Sequence, residues 1–156
     1  MATAADSAAV LVAGGFPGLG AKIGIVEVTI DLAVVSAELV AQGDGELATG
    51  DIIQAISIPA GTVVLAAGIQ VMTAIAGATA LDADMGITGG DVDIWMDGID
   101  LATLAANAYA STPAALNGGV VFTAADTIDI LCNTVTGSLT AGVLRVFAVV
   151  ANCAAL

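Results

Sequence analysis

The chain has 156 residues, with 15 Asp and Glu against 2 Lys and Arg, a net charge of −13 and no His. That length predicts one domain over residues 1–156, with enough chain to bury a core. The missing His removes the commonest general base and metal ligand, and two cations cannot neutralise a phosphate backbone, which argues against nucleic acid as a partner.

Residues 1–20 are rich in Ala and Gly and read as a flexible arm, with one short strand over Ala9–Ala13. Lys22–Val35 then alternates Glu27, Thr29 and Asp31 with Val26, Val28, Ile30 and Leu32, the period-two pattern of a strand with one wet face. Turn formers in Ala41–Gly45 close that unit. Asp51–Ile58 is a second strand, ended by Pro59 and Gly61. Thr62–Ala67 and Gly68–Ala74 follow as strand pieces, with Gly68 marking a bend, and Thr79–Met85 is another half-buried strand.

Ile87–Asp100 reads as a loop rich in Gly and Asp that holds the single Trp. Leu101–Ala108 is the one helical candidate, with Asp100 placed to cap its free amides. Val120–Thr123, Thr127–Val135 and Gly142–Asn152 complete the strands, with a turn over Thr136–Ala141. Short strands, Gly-rich turns and at most one short helix predict an all-β fold, an antiparallel β-sandwich or jelly roll with a Gly-rich N-terminal arm.

Two uncharged stretches, Ile52–Leu81 and Leu101–Ala125, are long enough to span a bilayer as helices. The first is interrupted by Pro59, Gly61, Gly68 and Gly77 and crowded with β-branched residues, and neither is flanked by Lys or Arg. No membrane is therefore expected as a partner. One Trp, one Tyr and three Phe are also too few for the aromatic girdles of an outer-membrane barrel. The N-terminus lacks the basic start of a signal peptide, and Cys132 and Cys153 read as buried free thiols, so synthesis in a cytoplasm is expected.

Three groups of residues invite a chemical reading. Gly14, Gly18 and Gly20 follow an apolar run as in a nucleotide-binding loop, but Ala21–Ile30 reads as a strand where that loop needs a helix N-terminus. The only Tyr, Tyr109, has no Lys after it to complete a dehydrogenase pair. Asp82, Asp84, Asp91, Asp93, Asp97 and Asp100 form an acidic run whose spacing fails the calcium-loop pattern, so solvated and turn-forming carboxylates are the expectation. Lys22, the only Lys, has no motif marking it as a partner for a nucleophilic Ser. No catalytic, cofactor or metal site is assigned, and an enzyme is not expected. Arg145, the only Arg, lies in an apolar strand and is expected to face outward or to pair with an Asp of its own chain, the sharper alternative being an inter-subunit salt bridge.

Three segments together resemble a known class: DIIQAISIPAGTVVLAAGIQVMTA over Asp51–Ala74, TALDADMGITGGDVDIWMDGIDL over Thr79–Leu101, and FTAADTIDILCNTVTGSLTAGVLRVFAVVANC over Phe122–Cys153. Their order is similar to that of virion structural proteins of tailed bacteriophages, of the type that decorates or cements the capsid. The resemblance implies a compact β-sandwich that trimerises on the capsid lattice, with the major capsid protein and other copies of itself as partners. It also implies a place on the capsid surface.

The composition points the same way. Apolar residues make up 58% and charged residues 11%, less than half of the roughly 25% usual in soluble domains. A chain so poor in charge is expected to bury much of its surface against other chains. A phage fibre or tail protein, and a carbohydrate- or calcium-binding β-sandwich module, are the alternatives.

Overall fold

Several strand pieces expected from the sequence are joined into two long strands, over Thr62–Gly86 and Asp126–Asn152. The computed structural model describes residues 3–4, 10–12, 22–111 and 119–152, with side chains described for 23–111 and 119–151. In chain order come β1 (Thr3–Ala4), β2 (Val10–Val12), β3 (Lys22–Asp31), the helix α1 (Leu32–Gln42) and β4 (Ile52–Ile58). Then follow β5 (Thr62–Gly86), β6 (Met96–Asp100), a 3-10 turn over Leu101–Thr103, β7 (Tyr109–Ala110), β8 (Val120–Phe122) and β9 (Asp126–Asn152). The fold is all-β and mostly antiparallel, sandwich-like, with one helix.

Its spine is the antiparallel ribbon of β5 and β9, paired from Thr62 opposite Asn152 to Gly86 opposite Asp129. The other edge of β9 takes β4 against Asp126–Leu131 and β3 against Val143–Asn152. The other edge of β5 takes β8, β7 and β6 in turn along its length. The strand β2 adds antiparallel to β3, and β1 adds parallel to β4. Two stretches of the expected N-terminal arm are thus strand, and Val10–Val12 lies within the span read as one.

A strand of 25 residues would run about 80 Å if straight, at roughly 3.3 Å per residue. The ribbon is bent instead. Register shifts cluster between Val71 and Ala80, where Gly77 and Gly137 face each other with φ of +87° and +93°. A Cβ on Gly137 would stand 2.6 Å from the Gly77 carbonyl oxygen, so only glycine permits this crossing. The strands β3 and β4 touch, although their partners on β9 begin and end at Val143 and Leu131. One core therefore joins Val28, Ile30, Leu144 and Val146 from one end of the ribbon with Ile53, Met85, Ile128 and Ile130 from the other.

The helix is where the sequence reading fails, because Lys22–Val35 ends as a strand at Asp31. The Asp31 carboxylate accepts the amides of Ala33 and Val34 at 3.0 and 3.3 Å, which caps a new helix. Leu32, Val35, Ser36 and Leu39 are its buried positions, a helical spacing, and Gly43 closes it in the left-handed conformation. Its valines favour strand weakly, and cap plus burial override them.

The expected helix Leu101–Ala108 is only a 3-10 turn over Leu101–Thr103. Asp100 does cap it, accepting from Ala102 N at 3.0 Å. An eight-residue segment gains little from helix formation alone. The backbone beyond is claimed by the edge of β5, with Asn107 N donating to Val71 O and Val71 N donating to Ala108 O at 2.6 and 2.9 Å. The expected turn over Thr136–Ala141 is likewise a bulged stretch inside β9.

Gly137→Ala should destabilise the protein by about 1–3 kcal/mol in urea titrations, from the positive φ and the close approach together. Gly89 has φ of +85° but open space around it, so Gly89→Ala reports the backbone cost alone and should be the milder of the two. Equal losses would remove the close approach as a constraint.

Candidate interaction surface

Across the half of the sheet built from β3, β9 and β5, register sorts side chains to two faces. Val26, Val28 and Ile30 lie opposite Ala148, Val146 and Leu144, which lie opposite Ala67, Ile69 and Val71, and all nine are buried. The alternate residues make the outer face. Its rows are Ile23–Ala151–Val63–Val121, Ile25–Val149–Ala66, Glu27–Phe147–Gly68 and Thr29–Arg145–Gln70–Tyr109.

That outer face is unusually apolar for an exposed one. Ile23, Ile25, Val121 and Tyr109 are 47, 50, 59 and 61% exposed. Phe147 packs edge-on to Tyr109 with ring centroids 6.2 Å apart. Its ring lies over Gly68, where an added Cβ would come within 3.0 Å of Cζ. Even a methyl group at Gly68 would press on the ring.

In the middle sits Arg145, whose Nη1 is 3.6 Å from Oε2 of Glu27, with both side chains about a third exposed. Arg145 thus pairs within its own chain, as expected, but with a Glu one row away rather than with an Asp. At that distance and exposure the pair is worth at most about 1 kcal/mol. Its Nε is buried without a hydrogen-bond partner.

Two members of the acidic run, Asp84 and Asp100, are spent on the fold, whereas Asp91, Asp93 and Asp97 are exposed. Asp84 accepts from Gly98 N at 2.7 Å, and Asp100 accepts from Leu81 N and Ala102 N, both at 3.0 Å. Asp82 and Asp100 are register neighbours across β5 and β6. A hydrogen bond with Asp91, then desolvation, then the Asp91 charge hold the Asp93 carboxyl above its ordinary value, against a backbone hydrogen bond that lowers it. Among the described residues no group of three or more His, Cys, Asp or Glu is placed to hold a metal ion. Asp129 was not singled out by its spacing, yet it is 3% exposed and accepts from Thr88 N and Thr127 Oγ1 at 3.1 and 2.6 Å.

The remaining sequence candidates are not brought together. Gly14, Gly18 and Gly20 lie outside the described residues, and the element that follows them is the strand Lys22–Asp31. Lys22 opens that strand opposite Asn152. Cys132 is free and buried, and burial first, with the Asp51 charge adding to it, pushes its thiol up to about 12, so it stays protonated and inert. Cys153 lies outside the described residues. An open cleft of about 310 Å³ beside α1 is lined by Ala33, Ser36, Ala37, Val40, Glu46 and Leu139, and Ser36 Oγ already accepts from Leu47 N at 3.0 Å. No described helix is long and apolar enough to cross a membrane.

Because Asp100 ties β5 to the 3-10 turn through two amides, Asp100→Ala should lower stability by about 1–3 kcal/mol. Millimolar calcium should leave the melting temperature of the native chain unchanged. A calcium-dependent rise of several degrees would show that these carboxylates bind a cation instead.

No family model matches the chain, and no curated protein matches it. Solved structures do. The chain is similar to one in the "Capsid of Ralstonia phage GP4", with a TM-score of 0.58 and 14% identity over 86% of this chain and 87% of that one. It is also similar to one in the "Cyanophage Pam1 capsid asymmetric unit", with a TM-score of 0.56 and 18% identity over 95% of this chain and 97% of that one. At such identities the likeness establishes a shared fold, and it runs over nearly the whole of each chain.

Proposed function

We propose that this protein is a non-catalytic structural subunit of a phage virion, one that decorates and stabilises the capsid as a homotrimer. The observation that carries the reading is the fold, shared almost end to end with chains from two phage capsid structures. The surface supports it. An apolar outer sheet face suits burial in an assembly, and its one described cation is already matched by Glu27.

In this reading 1–156 is a single domain whose residues 1–20 reach onto the lattice. The partners are the major capsid protein and further copies of the same chain, with no role for nucleic acid or a membrane. The subunit is made in the host cytoplasm and ends on the outer surface of the shell. Hydrophobic burial supplies the cementing energy at about 25 cal/mol per Å², so an interface of a few thousand Å² stiffens a shell without many ion pairs.

Electron microscopy of purified virions should find the protein in many copies on the outer shell. Shells stripped of it should break at lower temperature, and adding it back should restore their resistance. Finding it only in the tail, or finding stripped shells as heat-resistant as complete ones, would overturn the capsid-decorating role.

A further inference from the structure

Among the described residues Asp is followed by Gly at two places, Asp44 with Gly45 and Asp97 with Gly98. Such a pair carries a reaction of its own. The Gly amide nitrogen can attack the side-chain carboxyl carbon of the Asp, because no Cβ on the Gly stands in the way. A C–N bond forms, a carboxyl oxygen leaves as water, and a five-membered imide closes. Water then reopens the ring at the main-chain carbonyl carbon, so that the chain continues through Cβ and Cγ as isoaspartate. The two steps release and consume one water, need no oxidant and leave the mass unchanged.

The fold treats the two pairs differently. Gly98 lies inside β6, and its N–H donates to Asp84 Oδ1 at 2.7 Å. Asp84 is only 7% exposed, so that acceptor is held in place. An amide engaged in this way has to surrender a hydrogen bond to a carboxylate before its nitrogen can turn toward Asp97. Gly45 lies exposed in the turn after α1, with φ of +90° and no atom within 4 Å of where a Cβ would stand. Its N–H has no hydrogen-bond partner among the described residues. Asp44 is exposed as well, with its own N–H fixed on Leu39 O at 3.1 Å. We infer that Asp44 is a site of spontaneous isomerisation in the native chain, and that Asp84 shields Asp97 from the same reaction. The product has a structural consequence. Leu47 is 4% exposed and anchored through its N–H on Ser36 Oγ at 3.0 Å. Isoaspartate at Asp44 puts one extra main-chain atom between that anchor and the end of the helix, which loosens the seat of Leu47 beside α1.

Incubating the native full chain for weeks at neutral pH in heavy-oxygen water, then locating the incorporated label by fragmentation mass spectrometry, tests this. Label and isoaspartate should accumulate at Asp44 at least about tenfold faster than at Asp97, and in guanidinium the two sites should react alike. Asp84→Ala should release the reaction at Asp97, whereas Asp84→Asn keeps an oxygen to accept from Gly98 N and should hold it back. If Asp84→Ala fails to fold, the comparison of native and denatured chain carries the test. In the aged chain the Leu47 amide should exchange with solvent faster than in fresh protein. Equal rates at the two sites in the native chain, or an Asp44 that reacts only after denaturation, would overturn the inference. Unchanged Leu47 exchange in the isomerised chain would overturn its structural consequence.

Discussion

Everything in this fold depends on one long antiparallel pairing that has to bend. The ribbon of β5 and β9 contributes a row of residues to nearly every layer of the core, and both of its outer edges serve as templates for the shorter strands. Left straight, the ribbon would leave one side of each half-sheet wet. Folded at the meeting of Gly77 and Gly137, it brings Val28, Ile30 and Val146 onto the same core as Ile53, Met85 and Ile130. The helix is placed by the same bend. Leu32 and Ile75 both approach Gly142, so a side chain there would wedge helix and ribbon apart.

Folding the ribbon buries one face and commits the other to the outside. In the β3 half that outside face is made of residues a core would accept: Ile23, Ile25, Phe147, Val149 and Val121. In the β4 half the comparable positions are Asp84 and Asp129, buried carboxylates held by backbone amides and a hydroxyl. The two halves thus dispose of their second face differently. One covers it with the chain's own loop, the segment from Ile87 to Asp97 docked through Trp95 N on Met85 O and Gly98 N on Asp84. The other leaves it open, with a single ion pair at its centre.

How much of this the sequence disclosed follows the range of the forces involved. The alternation in β3 and the apolar run in β4 are local patterns, and both strands lie where those patterns fall. The pieces of β5 and β9 were legible, but Gly68 and Gly77 read as breaks when they are close-approach points inside one continuous strand. The helix at Leu32 was hidden because its valines continue the strand pattern, and only the cap by Asp31 and the burial of Leu39 decide against it. Asp100 was legible as a cap, whereas its bond to Leu81 N spans the β5–β6 hairpin and has no local signature. Arg145 drew notice as the sole Arg in an apolar strand; that its partner is Glu27 is a matter of register between β3 and β9, which no short-range pattern carries.

The central claim is that the ribbon of β5 and β9 folds back where Gly77 meets Gly137, so that β3 and β4 share one core. Spin labels at the exposed positions Thr29 on β3 and Ser57 on β4, read by double electron–electron resonance, test it most directly. Their partners on β9 are Arg145 and Thr127, which a straight strand at roughly 3.3 Å per residue would hold about 60 Å apart. The bent ribbon predicts a distance under about 40 Å, and one near about 60 Å would contradict it.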